Sequence, residues 1–333
     1  MKKKLLTAGL LLLAFAVIAA GCSGKSSGKA GEDYSKYPEK PITWIVAYNA
    51  GDAPDLPART LLPYVEKYMP NNGKLTIVNK GGSGGTLGMN EVFKSKPDGY
   101  TIGTAAAAAI TTLPLLGDTP YSYDELDPLL NYVKAAQFLV VPADAPYNTF
   151  EEWLAYVKEN PDDFTYGISG NANAQHIAME NFSSKADVKL RPIVYKGENE
   201  TLTNLLGKQI KGGILNHALL YEHYRSGALK PIVNITGVKP DYLADVPTFQ
   251  DKGYDVVANF FNGIFVPAGT PEGIKAILQD AFKKALEDPE LQEKFKELQL
   301  IPSYLSAEDF KREIEKEVES NRATLEMMGI LQN

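Results

Sequence analysis

The chain has 333 residues and carries 34 Lys and Arg against 41 Asp and Glu, a formal net charge of −7. This acidic balance argues against nucleic acids and other polyanions as partners. One cysteine allows no disulfide within the chain, and three His without metal-ligand spacing predict no metal site. No phosphate-binding P-loop is present, and we predict no cofactor.

The N-terminal residues predict export from the cytoplasm. Three Lys precede an apolar run from Leu5 to Ala20, and small residues then lead to Cys22. This run is too short to span a membrane as a helix and is typical of a signal peptide, residues 1–21. The sequence AAGC resembles a bacterial lipobox, which implies a lipidated Cys22; a plain secretory signal is the alternative. We therefore expect an extracytoplasmic protein of the cell envelope, anchored to the membrane by lipid.

A flexible tether follows the predicted anchor, over residues 22–36. Residues 23–36 are rich in Ser, Gly and Lys and contain no Val, Ile, Leu or Phe. Such a segment cannot bury enough apolar surface to fold, and it suits a leash between membrane and domain. The body from Tyr37 onward is long enough for one large or two medium domains.

Strand and helix patterns alternate along the body. Helices are predicted around Ala58–Tyr68, at Thr86–Lys94 and after Thr149, a candidate N-cap. The strand-like segments are ITWIVAY, KLTIVNK, YTIGTAAAA, YVKAAQFLVVPADAP, FTYGISG, LRPIVYKG, KGGILN, LKPIVNIT and NFFNGIFVPAG. The C-terminal third has helical periodicity, and Ser306 with Asp309 resembles a capping box. This alternation predicts an α/β protein with a mostly parallel, doubly wound sheet.

Two strand-to-helix turns are candidate anion sites: the first turn, residues 48–55, and the second turn, residues 169–176. Helix N-termini leave backbone N–H groups free for an anion, and ligands of α/β sheets bind near such turns. In the second turn, Asn171 or Asn173 can cap the following helix. The first turn, however, contains Asp52 and Asp55. Asp52 points outward or caps the helix, or it pairs with a ligand ammonium, or the ligand is no anion.

The Gly-rich segment NKGGSGGTLG, residues 79–88, has more than one interpretation. It matches the G-x-S-x-G pattern of a hydrolase with Ser83 as nucleophile, which we keep as a remote alternative. The dinucleotide fingerprint fails because Leu87 stands where a Gly is required. The remaining interpretation is a turn that brings its backbone close to a ligand or to another loop.

Eight motifs in order resemble one family, the extracytoplasmic solute receptors of tripartite tricarboxylate transporters, also called Bug-type receptors. They are YPEKPITWIVAYNAG with DLPAR, NKGGSGGTLG, KPDGYTIGT, YGISGNANAQHIA, YKG, LTNLLGKQI, LADVPTFQDKGY and FVPAGTPEGI. The resemblance implies a non-enzymatic receptor with a two-lobed periplasmic-binding-protein fold (type II-like). Each lobe would be a doubly wound mixed sheet flanked by helices, with a hinge between the lobes. Lobe one would comprise residues 37–136 and 231–333, and lobe two residues 137–230.

The resemblance also implies a ligand and partners. Such receptors bind small carboxylates through backbone amides and pass them to a membrane permease; a receptor for a membrane signalling partner is the alternative. We expect a monomer. Mapped onto this chain, the ligand site comprises Tyr48, Asn49, Gly51, Asp52, Ala53, Asp55, Thr104, Ser169, Gly170, Asn171, Asn173, Gln175, His176 and Asn216.

The chain departs from the family pattern in both turns. Asp52, Ala53 and Pro54 stand where the family usually has Gly-Gly or Gly-Ser. Asn173, Ala174 and Gln175 stand where it tends to have small hydroxylated residues. We therefore expect the ligand to be either a carboxylate or a zwitterion, such as an amino acid. The substrate of other family members is not transferred to this chain.

Overall fold

A computed structural model describes residues 33–331. The predicted signal peptide, Cys22 and most of the tether lie outside these residues. Within the described residues, the chain from Lys36 onward forms one compact unit. The strands are β1 (Ile42–Val46), β2 (Leu75–Asn79), β3 (Thr101–Ala106), β4 (Leu126–Lys134), β5 (Gln137–Pro142), β6 (Thr165–Ile168), β7 (Arg191–Val194), β8 (Gly212–Asn216), β9 (Leu229–Asn234), β10 (Phe261–Pro267) and β11 (Ile301–Ser306).

Ten α-helices occur in the described part of the chain. They are α1 (Asp55–Tyr68), α2 (Thr86–Lys94), α3 (Ala107–Thr111), α4 (Phe150–Glu159), α5 (Ala174–Ala186), α6 (Glu198–Leu206), α7 (His217–Arg225), α8 (Glu272–Leu286), α9 (Pro289–Glu297) and α10 (Ala307–Met327). Three predicted caps are confirmed. Thr149, Asn173 and Ser306 each accept the backbone N–H three residues later, at 3.2, 3.0 and 3.2 Å.

The strands form two separate mixed sheets, as the predicted fold class requires. The first has six strands in the order β11-β4-β10-β3-β1-β2, and the second has five in the order β7-β6-β8-β5-β9. In each sheet three strands pair in parallel, and the remaining pairings are antiparallel. The expectation of a mostly parallel sheet was therefore wrong, because strands that return from the other lobe enter each sheet in the opposite direction.

The chain changes sheets where the sequence shows a continuous apolar run. The segment YVKAAQFLVVPADAP was predicted as one strand, but it contains the end of β4 and all of β5, which belong to different sheets. The crossing falls at Ala135 and Ala136. The Ala135 N–H donates to the Phe260 carbonyl at 2.9 Å, so the two crossing segments lie side by side.

The second crossing falls later than residue 231. β9 pairs with β5 from Leu229 to Asn234, inside the second sheet. Beyond β9, Ile235, Phe249 and Val256 are buried in the core of this lobe with Trp153. We therefore propose that lobe two continues to about residue 259, where β10 returns the chain to the first sheet.

Candidate functional site

The first turn connects β1 to α1, and its own carboxylates accept several of its backbone N–H groups. Asp52 Oδ2 accepts the Asn49 N–H at 2.9 Å, and Asp55 Oδ2 accepts the Gly51 N–H at 2.9 Å. The N–H groups of Asp52 and Asp55 donate to the carbonyls of Asn49 and Asp52. In the described structure, only the N–H groups of Tyr48, Ala50 and Ala53 lack a protein acceptor in this turn.

Asp55 is a buried structural carboxylate, with 3% of its surface exposed. It also accepts hydrogen bonds from Arg59 Nε at 2.8 Å and from Asn79 Nδ2 at 2.8 Å. Burial alone would raise the pKa of Asp55, but these donors and the Gly51 N–H outweigh burial and lower it. Because Asp55 is already the first residue of α1, it is not the N-cap; that position is Pro54, which has no side-chain cap.

The Gly-rich segment packs closely against the first turn. A Cβ on Gly81 would lie 2.9 Å from the Asn49 backbone nitrogen, and one on Gly85 would lie 2.8 Å from Tyr48 Oη. The Tyr48 hydroxyl donates to the Gly84 carbonyl at 3.2 Å, and burial raises the pKa of Tyr48 to about 12. The glycines are thus needed for close approach to another loop, one of the two functions we predicted for them.

The second turn connects β6 to α5 and is held by side chains of α5. Gln175 Oε1 accepts both the N–H and the hydroxyl of Ser169, at 2.8 and 3.1 Å. His176 Nδ1 accepts the Ala172 N–H at 3.1 Å, and Asn173 Oδ1 accepts the His176 N–H. These contacts fix the backbone of the turn, including Ala172 at a positive φ of 51°.

His176 supports the turn from inside the lobe. It is buried, and its Nδ1 is occupied by the Ala172 N–H, which places the ring proton on Nε2. Burial lowers the pKa of His176, so the ring is neutral near pH 7. His176 therefore shapes the second turn instead of contributing a positive charge to a ligand.

The two turns differ in what they offer an anion. In the second turn the N–H groups of Gly170, Asn171, Asn173, Ala174 and Gln175 have no acceptor among the described residues. No Asp or Glu lies in this turn. The first turn has three such N–H groups and two carboxylates. The second turn is therefore the better anion-binding element.

Two other predicted site residues have different environments. Thr104 on β3 is fully buried, and its hydroxyl oxygen accepts the Trp44 indole N–H at 2.8 Å. Its side chain lies in the core of the first lobe, and we no longer include it in the site. Asn216 ends β8 and caps α7 through Leu219 N–H at 2.9 Å, at the same sheet edge as the second turn.

Sequence reasoning missed Glu198, the first residue of α6. Its carboxylate accepts hydrogen bonds from Gln137, Gln175 and Asn216, which come from three separate segments of lobe two. No local sequence signal marks it, since Glu198 lies in the polar stretch KGENE, which is typical of a solvated helix start. Only the sheet order brings its partners together.

The lobes touch next to the second turn. Ala172 and Ile177 pack with Leu325 of α10, and Leu115 and Leu116 of the first lobe contact the same cluster. A groove of about 390 Å³ runs between α5 and α10, lined by Ala174 and Glu317 among others. Movement of one lobe against the other would therefore change the contacts of the second turn.

Within residues 33–331, no group of three or more His, Cys, Asp or Glu side chains is arranged to hold a metal ion. No helix in that range combines the length and the apolar character needed to cross a membrane.

Ser83 lies in a short 3-10 turn, while the three His lie on α5 and α7, which flank the other sheet.

The fold and site define a class of protein, the two-lobed α/β solute-binding proteins. Comparison with known proteins then identifies the family. Residues 71–330 match the family model described as "Tripartite tricarboxylate transporter family receptor". The chain therefore belongs to this family of solute-binding receptors, whose members are not enzymes.

Individual relatives agree with this assignment. The UPF0065 protein in the gbd 5'region of Cupriavidus necator is 30% identical, over 94% of each chain. A TctC solute-binding protein from Polaromonas, solved without ligand, has a TM-score of 0.80 and 27% identity, over 87% of this chain and 99% of its own. The periplasmic binding protein BugD has a TM-score of 0.66 and 26% identity, over 89% and 100%.

Two more distant structures share the fold and contain ligands. R. palustris Rpa4515, solved with adipate, has a TM-score of 0.70 and 21% identity, over 88% of this chain and 98% of its own. MatC from Rhodopseudomonas palustris, solved with bound malate, has a TM-score of 0.67 and 20% identity, over 87% and 100%. At this identity the likeness establishes the fold alone.

Proposed function

We propose that this protein is an extracytoplasmic receptor that binds a small carboxylate or zwitterion between its lobes and delivers it to a membrane permease. The carrying observation is the second turn, with five N–H groups that lack a protein acceptor in the described structure and no carboxylate of its own. Backbone N–H groups at a helix N-terminus favour a negative ligand group. The ligands of the two distant structures, adipate and malate, are dicarboxylates, which supports a carboxylate ligand here.

The ligand would act on the equilibrium between open and closed lobes. A ligand that contacts both lobes binds the closed form more tightly and shifts the population toward it. The contact between Ala172 of the second turn and Leu325 supports this proposal, because movement of the lobes would alter a contact of the proposed ligand site. Closure would present a joint surface of the two lobes to the permease. The predicted signal peptide and lipidated Cys22 would hold the receptor at the membrane.

A thermal-shift screen of residues 37–333 tests this function. The panel contains mono-, di- and tricarboxylates, amino acids, polyamines and neutral sugars. A ligand at a hundredfold excess over its dissociation constant adds about 2.7 kcal/mol of apparent stability. We expect stabilisation by one class of carboxylate or amino acid. Stabilisation by sugars or polyamines alone would contradict the proposal.

A further inference from the structure

We propose that Glu198 is a positioning residue that holds the lobe-two half of the ligand site in its binding geometry. The proposal rests on the function proposed above and identifies a residue that controls it. Glu198 begins α6, immediately after the turn that follows β7. From there its carboxylate reaches residues on three other segments of the same lobe.

Each carboxylate oxygen accepts two hydrogen bonds. Oε1 accepts the side-chain amides of Gln137 and Gln175, both at 2.9 Å. Oε2 accepts the backbone N–H of Asn216 at 2.9 Å and its side-chain amide at 2.5 Å. Two oxygens offer about four lone-pair positions, so the carboxylate is saturated by these neutral donors.

The amides bound to Glu198 determine the shape of the second turn. Gln175 is fully buried, and its oxygen accepts both donors of Ser169, at the start of the turn. Gln137 is nearly as buried, and its oxygen accepts a further hydrogen bond from Gln175 at 3.1 Å. The Glu198 carboxylate thus anchors the N–H groups that we assign to the ligand.

The orientation of each amide in this network is fixed, so that all the groups facing Glu198 are donors. Only a side chain that accepts at both oxygens, such as a carboxylate, satisfies all of them. Rotating the Gln175 amide would turn its NH₂ group toward the Ser169 N–H, and rotating the Asn216 amide would remove the cap of Leu219. A neutral Gln at position 198 presents one oxygen and one NH₂ group. The NH₂ group of this Gln would therefore face the donors of Gln137 and Gln175 or those of Asn216, and these donors would lose their acceptor.

The sequence offers a matched control. Glu200 lies two residues further along α6 and is exposed, and its carboxylate accepts the Lys196 N–H at 3.0 Å. Glu200→Gln removes the same charge from the same helix without touching the network. A difference between Glu198→Gln and Glu200→Gln therefore reports on the network itself.

Hydrogen–deuterium exchange of the full chain tests the inference without any ligand. We expect Glu198→Gln to speed exchange about tenfold or more at the hydrogen-bonded amides of two segments, with α10 unchanged. These amides are Ser169, Ala172 and His176 in the second turn, and Asn216 and Leu219 at the start of α7. Glu200→Gln should leave both segments at the wild-type rate. Wild-type exchange in both segments of Glu198→Gln would overturn the proposal, and so would equally fast exchange throughout the chain.

Binding then separates positioning from a general loss of stability. The probes are malate, adipate, aspartate and glutamate, with affinities measured at least 20 °C below the melting temperature of each variant. For any probe that the wild type binds, we expect Glu198→Gln to weaken binding about tenfold and Glu200→Gln to leave it unchanged. Wild-type affinity in Glu198→Gln would overturn the proposal. If the wild type binds none of these four probes, the thermal-shift screen decides the proposed function, and the exchange result decides the role of Glu198.

Discussion

Thr111 and Glu317 share a buried hydrogen bond of 2.9 Å, in which the Thr111 hydroxyl donates to Glu317 Oε1. The same hydroxyl also lies 3.0 Å from the Ala107 carbonyl, so its single proton serves two acceptors. Burial raises the pKa of Glu317 to about 8, against smaller opposing effects of hydrogen bonds from Thr111 and Asn259. Near pH 7 the carboxyl group therefore keeps its proton.

This protonation predicts that Glu317→Gln stabilises the protein at high pH. Between the ordinary pKa of about 4.5 and the folded value of about 8, the folded state binds one proton more than the unfolded state. The free energy of unfolding therefore falls as pH rises through this window, by up to about 1.4 kcal/mol per unit. Gln cannot ionise, and its amide oxygen still accepts the Thr111 hydroxyl, so the variant avoids this loss.

Thermal unfolding of the Glu317→Gln variant and the wild type checks the prediction at pH 5 and pH 8. We expect little difference at pH 5 and a higher melting temperature for the variant at pH 8. Glu315→Gln is the control, because Glu315 is exposed on the same helix. A variant whose advantage does not grow with pH would show that Glu317 ionises normally.

A second prediction concerns Asp55, which holds the first turn to β2. Asp55→Ala removes the acceptor of Gly51, Arg59 and Asn79. We expect a loss of about 1–3 kcal/mol at pH 7, since the Gly51 N–H and the Asn79 amide lose a part-buried, charged acceptor. Chemical denaturation measures this loss, and Asp52→Ala, at an exposed position of the same turn, should cost less.

The pH dependence of Asp55→Ala has a definite sign. The folded pKa of Asp55 lies below its ordinary value near 3.8, so its stabilisation is present above that value. It is lost as the pH falls through the folded pKa. The difference between wild type and Asp55→Ala should therefore shrink below about pH 4. A constant difference would mean that ionisation of Asp55 contributes nothing.

A third prediction concerns the contact between the Gly-rich segment and the first turn. Gly81→Ala places a methyl group 2.9 Å from the Asn49 backbone nitrogen, so the first turn must move. We expect a loss of about 1–3 kcal/mol in stability together with weaker ligand binding. Gly207→Ala is the control, because the nearest atom to its Cβ is 3.2 Å away and its φ is negative. Normal binding by Gly81→Ala would show that the first turn does not depend on this contact.

Local sequence signals predicted elements well where one segment decides the structure. Helix α2 has the predicted bounds, Thr86–Lys94, and Thr149, Asn173 and Ser306 cap the helices that they precede. Capping depends on residues only a few positions apart, so the chain order contains the whole signal.

Features that depend on distant segments could not be predicted in this way. β11 was assigned to the helical third, because its half-exposed edge strand IPSYLS has no strong strand pattern. The change of sheet at Ala135 and Ala136 gave no signal in the sequence, since both flanking strands are apolar. Glu198 meets Gln137 across 61 residues, a contact set by sheet order rather than by sequence spacing.

The last prediction decides how Asp52 affects the ligand. Its Oδ2 accepts the Asn49 N–H at 2.9 Å within the turn and caps no helix N–H, while the side chain remains exposed, which favours the outward-pointing alternative. Asp52→Asn keeps an oxygen for this hydrogen bond and removes the charge. A carboxylate near this turn would then no longer be repelled, an effect of about 1 kcal/mol at 4 Å in water and more in a partly closed cleft. We therefore expect Asp52→Asn to bind plain carboxylates about fivefold or more tightly, measured by calorimetry with the best acid from the screen. Weaker binding, confined to ligands that carry an ammonium group, would instead show that Asp52 pairs with that group and that the receptor selects zwitterions.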